Sequence, residues 1–428
     1  MIGMIPVPLI AVSHPTLLLG VICVAGLYMA WAIGANDVAN AMGTSVGSGA
    51  LTLKRAVIIA AIFEFSGAVI AGGSVSKTIR KGIVSPEVFS DAPELLVFAM
   101  LSALFAAAVW LSIASAKGWP VSTTHSIVGS IVGVAIVSRG LEAVEWGKVA
   151  TIVASWVTSP LLAGLTAFTL FNILRKYVIA VEDPIARIKK VAPFLVFATT
   201  MVLALVTMWK GLKHLDLELS TFQTWSAAIA VSALSAVIAA LAIRGVKEDV
   251  EEEKEFHYAR VEKIFAILQI YTACAVAFAH GSNDVANAIG PMAAAWGTLQ
   301  DGVVSSNNPV PTWMLAAGGV GIVVGLATLG YKVMETVGKK ITHLTPSRGY
   351  VAEFAAAITI VTASQLGMPI STTHTLVGAV LGVGLARGLA ATNLGVVGQI
   401  VVSWVVTLPA GAGLAIFFFY VLKFTFGT

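Results

Sequence analysis

Charge is scarce in this chain. Of its 428 residues only 11% are charged, against 57% hydrophobic and a mean hydropathy of +0.91. A soluble domain is nearer half apolar and a quarter charged. A water-soluble fold built on one core is therefore excluded, and a lipid-embedded one is implied. The net charge is only +4 and the basic residues fall between apolar runs, so no nucleic-acid surface is expected. Cysteine is almost missing. Cys23 and Cys274 are too few and too distant for a disulfide framework or a thiolate metal site, and both read as small apolar side chains. No Lys or Arg precedes the first apolar run, so the positive start of a cleaved signal peptide is lacking. That run is expected to remain as a spanning helix. No G-x-x-x-x-G-K-[ST] loop occurs, which argues against nucleotide hydrolysis by this chain, and no nucleophile–base pair recommends an enzyme.

What is present is a series of apolar runs of roughly 20 residues, the length of a membrane span. They cover 16–33, 56–73, 95–116, 121–138, 149–174, 191–209, 222–243, 264–279, 313–330, 351–366, 370–386 and 396–421, about twelve in all. The runs 121–138, 351–366 and 370–386 are short or rich in Ser and Thr, and are expected to be broken or re-entrant. The fold class is thus an all-α polytopic membrane protein. If every run crosses, 18 Lys and Arg fall on one side and 8 on the other, together the 26 of the composition. Cytoplasmic loops collect basic residues, so both termini are expected outside the cell membrane, with the charged stretch 244–263 inside.

The chain repeats itself. Asn36-Asp37-Val38-Ala39-Asn40-Ala41 recurs from Asn283 to Ala288, and Pro120-Val121-Ser122-Thr123-Thr124-His125 recurs as Pro369-Ile370-Ser371-Thr372-Thr373-His374. Gly129 and Gly133 return as Gly378 and Gly382, and Ser155-Trp156 as Ser403-Trp404, all at offsets of 247 to 249. Seven runs separate each motif from its copy. Seven is odd, so the halves should face opposite ways, the inverted-repeat plan of secondary transporters. The expected division is a first repeat over 1–175, two connecting spans with a charged loop over 176–260, and a second repeat over 261–428.

Two constellations carry chemistry. Asn36, Asp37 and Asn40, with Asn283, Asp284 and Asn287, place a carboxylate and two amides at the end of an apolar run. A carboxylate at membrane depth is costly and points to function. The glycine before each motif, Gly34 or Gly281, would permit a helix break that frees carbonyls, and such oxygens suit a hard cation. The competing reading is polar glue between helices plus an Asp helix cap. In the second constellation, Pro followed by Ser-Thr-Thr reads as a helix start. Its free N–H groups and dipole, with the hydroxyls of Ser122, Thr123, Thr124, Ser371, Thr372 and Thr373, would hold an oxyanion. N-capping alone is the alternative. His125 and His374 read as loop anchors, because no cysteine or carboxylate lies near them at ligand spacing. Glu64 and Glu353 sit inside apolar runs at unmatched repeat positions, and a gating, ion-relay or helix-pairing role is open for both.

The paired Gly-[Ala/Ser]-Asn-Asp-Val-Ala-Asn-Ala and Pro-[Val/Ile]-Ser-Thr-Thr-His motifs resemble those of the PiT family of inorganic phosphate transporters, over nearly the whole chain. The continuation Met42 to Thr52 is more similar to the sodium-coupled branch than to the proton or metal-phosphate branch. The resemblance implies sodium–phosphate symport by alternating access, with inorganic phosphate and Na+ as partners, sodium as the coupling ion and no organic cofactor. Phosphate is then expected mainly at Ser122, Thr123, Thr124, Ser371, Thr372 and Thr373, with Asn36 and Asn283 beside it. Sodium is expected at Asp37, Asn40, Asp284 and Asn287, with Glu64 and Glu353 at a gate or an additional ion site. Two Asp charges and one phosphate charge against two helix ends of about half a charge each leave roughly −2, which about two sodium ions would neutralise. Proton-coupled symport of phosphate or a metal–phosphate complex is the alternative. A homodimer in the lipid bilayer is expected from base rates.

Overall fold

In the computed structural model, residues 12–208, 220–244, 254–304, 310–365 and 370–427 are described. They form thirteen α-helices: α1 (Pro15–Gly47), α2 (Leu53–Gly82), α3 (Pro93–Ala116), α4 (Thr123–Arg139), α5 (Trp146–Leu174), α6 (Pro184–Val206), α7 (Thr221–Arg244), α8 (Lys254–Asp301), α9 (Thr312–Thr328), α10 (Gly330–Glu335), α11 (Pro346–Gln365), α12 (Thr372–Leu385) and α13 (Leu394–Phe426). Eight helices are long and apolar enough to cross a membrane, and the pair α9–α10, bent by 63°, makes a ninth. Large apolar side chains such as Leu161, Leu165, Phe194, Phe222, Leu234 and Phe424 are exposed, a surface that lipid accepts and water does not.

The runs expected to be broken or re-entrant, 121–138, 351–366 and 370–386, fall in two helical hairpins. Runs 95–116 and 121–138 form one hairpin, α3–α4. Its base is closed by the bidentate pair of Arg139, at the end of α4, with Asp91, just before α3, at 2.7 and 3.0 Å. Its tip meets the interior of α1: Asn36 Nδ2 donates to Ser115 Oγ and to the Trp119 carbonyl, both at 3.0 Å. Asn36 precedes Gly47, the last residue of α1, by about 16 Å of helix, so the hairpin turns back at depth. The second repeat builds its hairpin the same way from α11 and α12. Their base is joined where Asn393 N donates to the Ile341 carbonyl at 2.9 Å, as Glu145 N does to that of Ile83 at 3.0 Å in the first. α12 has only 14 residues, too short to cross alone. Because segments leave the count in pairs, the parity that inverts the halves is unchanged.

The inversion can be read from α1 and its repeat counterpart α8. Ser48, at the end of α1, donates to Gln269 Oε1 in the first half of α8 at 2.7 Å. Gly26, in the first half of α1, lies against Met292 near the end of α8. The two helices are therefore antiparallel, and the repeats interlock: α4 packs on α13, and α12 on α5. The Gly pairs at 129/133 and 378/382 sit in these contacts. A Cβ on Gly378 would meet the Pro160 carbonyl oxygen at 2.3 Å, and one on Gly382 that of Gly164 at 2.0 Å. This is the close approach that small residues permit between membrane helices.

One local expectation fails. No break follows Gly34 or Gly281, because α1 and α8 run unbroken through both Asn-Asp motifs. The glycines serve packing instead. A Cβ on Gly34 would stand 1.9 Å from the Ile322 carbonyl oxygen, and one on Gly281 2.1 Å from that of Glu64. The motifs thus lie mid-helix with their backbone groups satisfied, and only side chains are available for binding. Cys23 and Cys274 are free and partly buried.

Candidate functional site

The two helix starts meet at the centre. Ser122 and Ser371 act as N-caps, their Oγ atoms accepting from His125 N at 3.2 Å and His374 N at 3.1 Å. Capping fixes the entry of α4 and α12 and turns the serines toward the helix ends. Pro120 leads into α4, and its copy Pro369 lies outside the described residues. His125 and His374 anchor this junction, as expected, but through their rings. Trp156, His125, His374 and Trp404 contact one another in sequence, with centroids 3.5, 4.2 and 3.6 Å apart and the two His rings edge to face. Trp404 Nε1 also donates to the Pro120 carbonyl at 3.1 Å. All four rings come from repeated motifs, so the stack lies on the relation between the halves.

The threonines face the aspartates. Thr123 Oγ1 donates to Asp37 Oδ2 in a short contact, and Thr373 Oγ1 lies 3.4 Å from Asp37 Oδ1. Thr372 Oγ1 lies 3.3 Å from Asp284 Oδ2. Asn40 crosses between the repeats, its Nδ2 donating to Thr373 Oγ1 at 2.8 Å and reaching Thr372 Oγ1 at 3.4 Å. Asn283 and Asn287 both direct Nδ2 to Asp284 Oδ1, at 3.1 and 3.4 Å. Asn36 is turned away, holding the tip of α3–α4, where its Oδ1 accepts from Val121 N at 3.2 Å. Thr124 is half-buried and makes no hydrogen bond to the aspartates. The structure therefore gathers Asp37, Asn40, Thr123, Asp284, Asn287, Thr372 and Thr373 in one buried cluster, with the half-buried Asn283 at its edge. Ser122, Ser371 and Asn36 stand in supporting positions around it.

The sequence reading missed His280. Its Nε2 lies 2.8 Å from Asp284 Oδ2 and 4.0 Å from Asp37 Oδ2, and its Nδ1 faces Glu64 Oε1 at 3.4 Å. Glu64, His280, Asp37 and Asp284 are all at most 2% exposed. The available signal was a titratable residue one position before Gly281, where the first repeat has Ile33.

Glu353 forms a second cluster. One carboxylate oxygen, Oε1, accepts from Thr44 Oγ1 at 2.6 Å, Ser45 Oγ at 2.8 Å and Gln269 Nε2 at 3.1 Å. The other accepts from Thr272 Oγ1 in a short contact. Thr44 and Ser45 lie in the continuation Met42 to Thr52, Gln269 and Thr272 carry no motif, and the four were not legible as a set. Their repeat counterparts, at offsets of 247 for these four and 249 for Glu353, are Pro291, Met292, Ile22, Ala25 and Leu104. A polar pocket on one side of the molecule thus answers to an apolar one on the other.

Two inverted repeats that close a carboxylate–hydroxyl cluster between them follow the plan on which secondary transporters are built. A model of the phosphate transporter family matches residues 33–415. This chain belongs to the phosphate transporter family. It is a transporter and not an enzyme. A putative phosphate permease of Haemophilus influenzae is 49% identical over 96% of this chain and 97% of its own length. One of Pyrococcus abyssi is 48% identical over 95% and 98%. The chloroplastic inorganic phosphate transporter 2-1 of Arabidopsis thaliana is 44% identical over 96% of this chain and 72% of its own. Among solved structures, a sodium-dependent phosphate transporter superposes with a TM-score of 0.86 and 43% identity, covering 95% of this chain and 99% of that one.

Proposed function

We propose that this member of the phosphate transporter family is a sodium-coupled phosphate symporter. It works by alternating access in the cell membrane, with both termini extracytoplasmic. The observation that carries the reading is the placement of Asp37 and Asp284, one from each repeat, against the threonines that open α12 and α4. Two buried carboxylates repel an anion unless cations accompany it, so phosphate and sodium enter together or not at all. Thr123, Thr372 and Thr373, with the free N–H groups of α4 and α12, hold phosphate; Asp37, Asn40, Asp284 and Asn287 hold sodium. Burial of the whole cluster requires a movement of one repeat-derived element against another for either face to reach it. The Glu353 cluster, built from carboxylate, amide and hydroxyl oxygens, suits a further hard cation on one side of the main site.

A second reading has its own support. Glu64, His280 and Asp284 form a line of titratable groups, the arrangement of a proton relay. The deciding experiment is radiolabelled phosphate uptake into liposomes carrying the purified protein, at constant pH. Accumulation above equilibrium with an inward sodium gradient, absent with potassium, supports the symporter. Uptake that ignores sodium and follows a pH gradient transfers the coupling to protons.

A further inference from the structure

The central cluster is not symmetric, and its asymmetric part has the make-up of a transition-metal site. Asp37, His280 and Asp284 each offer one ligand atom, and these atoms all lie within 4.8 Å of one another. The two distances from His280 Nε2, 2.8 Å to Asp284 Oδ2 and 4.0 Å to Asp37 Oδ2, bracket the separation in a tetrahedral zinc site. With metal–ligand bonds of 2.0–2.1 Å that separation is about 3.4 Å. Two carboxylates and one imidazole, with a fourth position left to water or a phosphate oxygen, is an open three-ligand set.

Two further observations point to a ligand. Both ring nitrogens of His280 are buried and neither makes a well-aligned hydrogen bond among the described residues, although carboxylates lie within reach of each. Glu64, fully buried, has no hydrogen-bond partner on either carboxylate oxygen among the described residues, and its Oε1 faces His280 Nδ1. A carboxylate behind the far nitrogen of an imidazole is the outer-shell partner that orients metal-bound histidine and raises its basicity.

We propose that Asp37, His280 and Asp284 bind a zinc-like divalent cation, with Glu64 positioning His280. An imidazole nitrogen selects zinc, cobalt or nickel over sodium, magnesium or calcium, which take oxygen ligands. The symmetry-related interface around Gly34 cannot form an equivalent site, because Ile33 and Ile322 stand there in the places of His280 and Glu64. The proposal shares the two aspartates with the transport reading but does not depend on sodium coupling.

The test is calorimetric titration of zinc into the purified full-length chain, in a potassium buffer free of sodium and phosphate. One zinc per chain is expected, with binding at least 100-fold weaker in His280→Gln and roughly 10–100-fold weaker in Glu64→Gln. X-ray absorption of the zinc-loaded wild-type chain, which needs no variant to fold, should show one imidazole nitrogen among oxygens at about 2.0–2.1 Å. No stoichiometric binding, unchanged binding in His280→Gln, or a shell without imidazole nitrogen overturns it.

Discussion

Gly281 packs against the backbone of Glu64 as Gly34 packs against that of Ile322, so one interface, built twice, carries a carboxylate in one copy and an aliphatic side chain in the other. The contact itself leaves no room. Gly34→Ala and Gly281→Ala each place a methyl group about 2 Å from a carbonyl oxygen that cannot rotate away. Overpacking of this kind costs about 1–3 kcal/mol or more. Both variants should show lower thermal stability in detergent, and one as stable as wild type would mean the helices are not held this close.

Asp284→Asn keeps the volume of the central cluster and removes a charge that accepts from Thr372 and faces His280. Hydrogen bonds to charged groups contribute about 1.5–3 kcal/mol, so sodium-driven uptake should fall at least tenfold. Asp37→Asn should do the same. Retention of full sodium dependence by both variants would remove the aspartates from coupling.

Thr44→Val deletes one donor to Glu353 without changing side-chain shape. The sodium concentration for half-maximal uptake should rise about tenfold, the effect of losing one charge-assisted bond, while the phosphate requirement changes less. Equal changes in both requirements would place the Glu353 cluster outside ion binding.

The ring stack on the relation between the halves predicts a split between aromatic and small replacements. His374→Ala loses contacts with both His125 and Trp404, and aromatic pairs contribute about 0.5–1.5 kcal/mol each. His374→Phe preserves most of the stack. The melting temperature should therefore drop for Ala and recover for Phe. No recovery would assign the role to the imidazole nitrogens instead.

At the surface, the hydrogen bonds from Arg139 hold the Asp91 carboxyl below the usual carboxylate range. A depressed carboxylate stabilises above its unfolded pKa and loses that contribution as pH falls through the folded one. Wild type should exceed Asp91→Asn slightly in melting temperature at neutral pH, and the gap should close in acid. A gap that widens in acid would contradict the pairing.

The membrane class, the duplication, the inversion and the aspartate motifs were legible because each is written in residue type and spacing. Depth was not. The run 95–116 has the length and apolarity of a span, and only the contact of Asn36 with Ser115 and Trp119 shows that α3 turns back with α4. The glycines before the motifs suggested a break, whereas Ile322 and Glu64 across the interface explain them as points of contact between helices. Residues that differ between the repeats were hardest to find. His280, Gln269, Thr272, Thr44 and Ser45 belong to no repeated motif, so a search by self-similarity passes over them.

Those differences bear on direction. If the proposed symport holds, an ion that comes from the side where α1 ends and α8 begins meets Glu353, Thr44, Ser45, Gln269 and Thr272 ahead of the central aspartates. From the opposite side it meets Leu104, Pro291, Met292, Ile22 and Ala25 in the equivalent places. A machine built from two copies of one plan is thus given a preferred entrance by five substitutions. On that reading its two half-cycles should differ in rate, although a two-fold rotation nearly superposes its scaffold on itself.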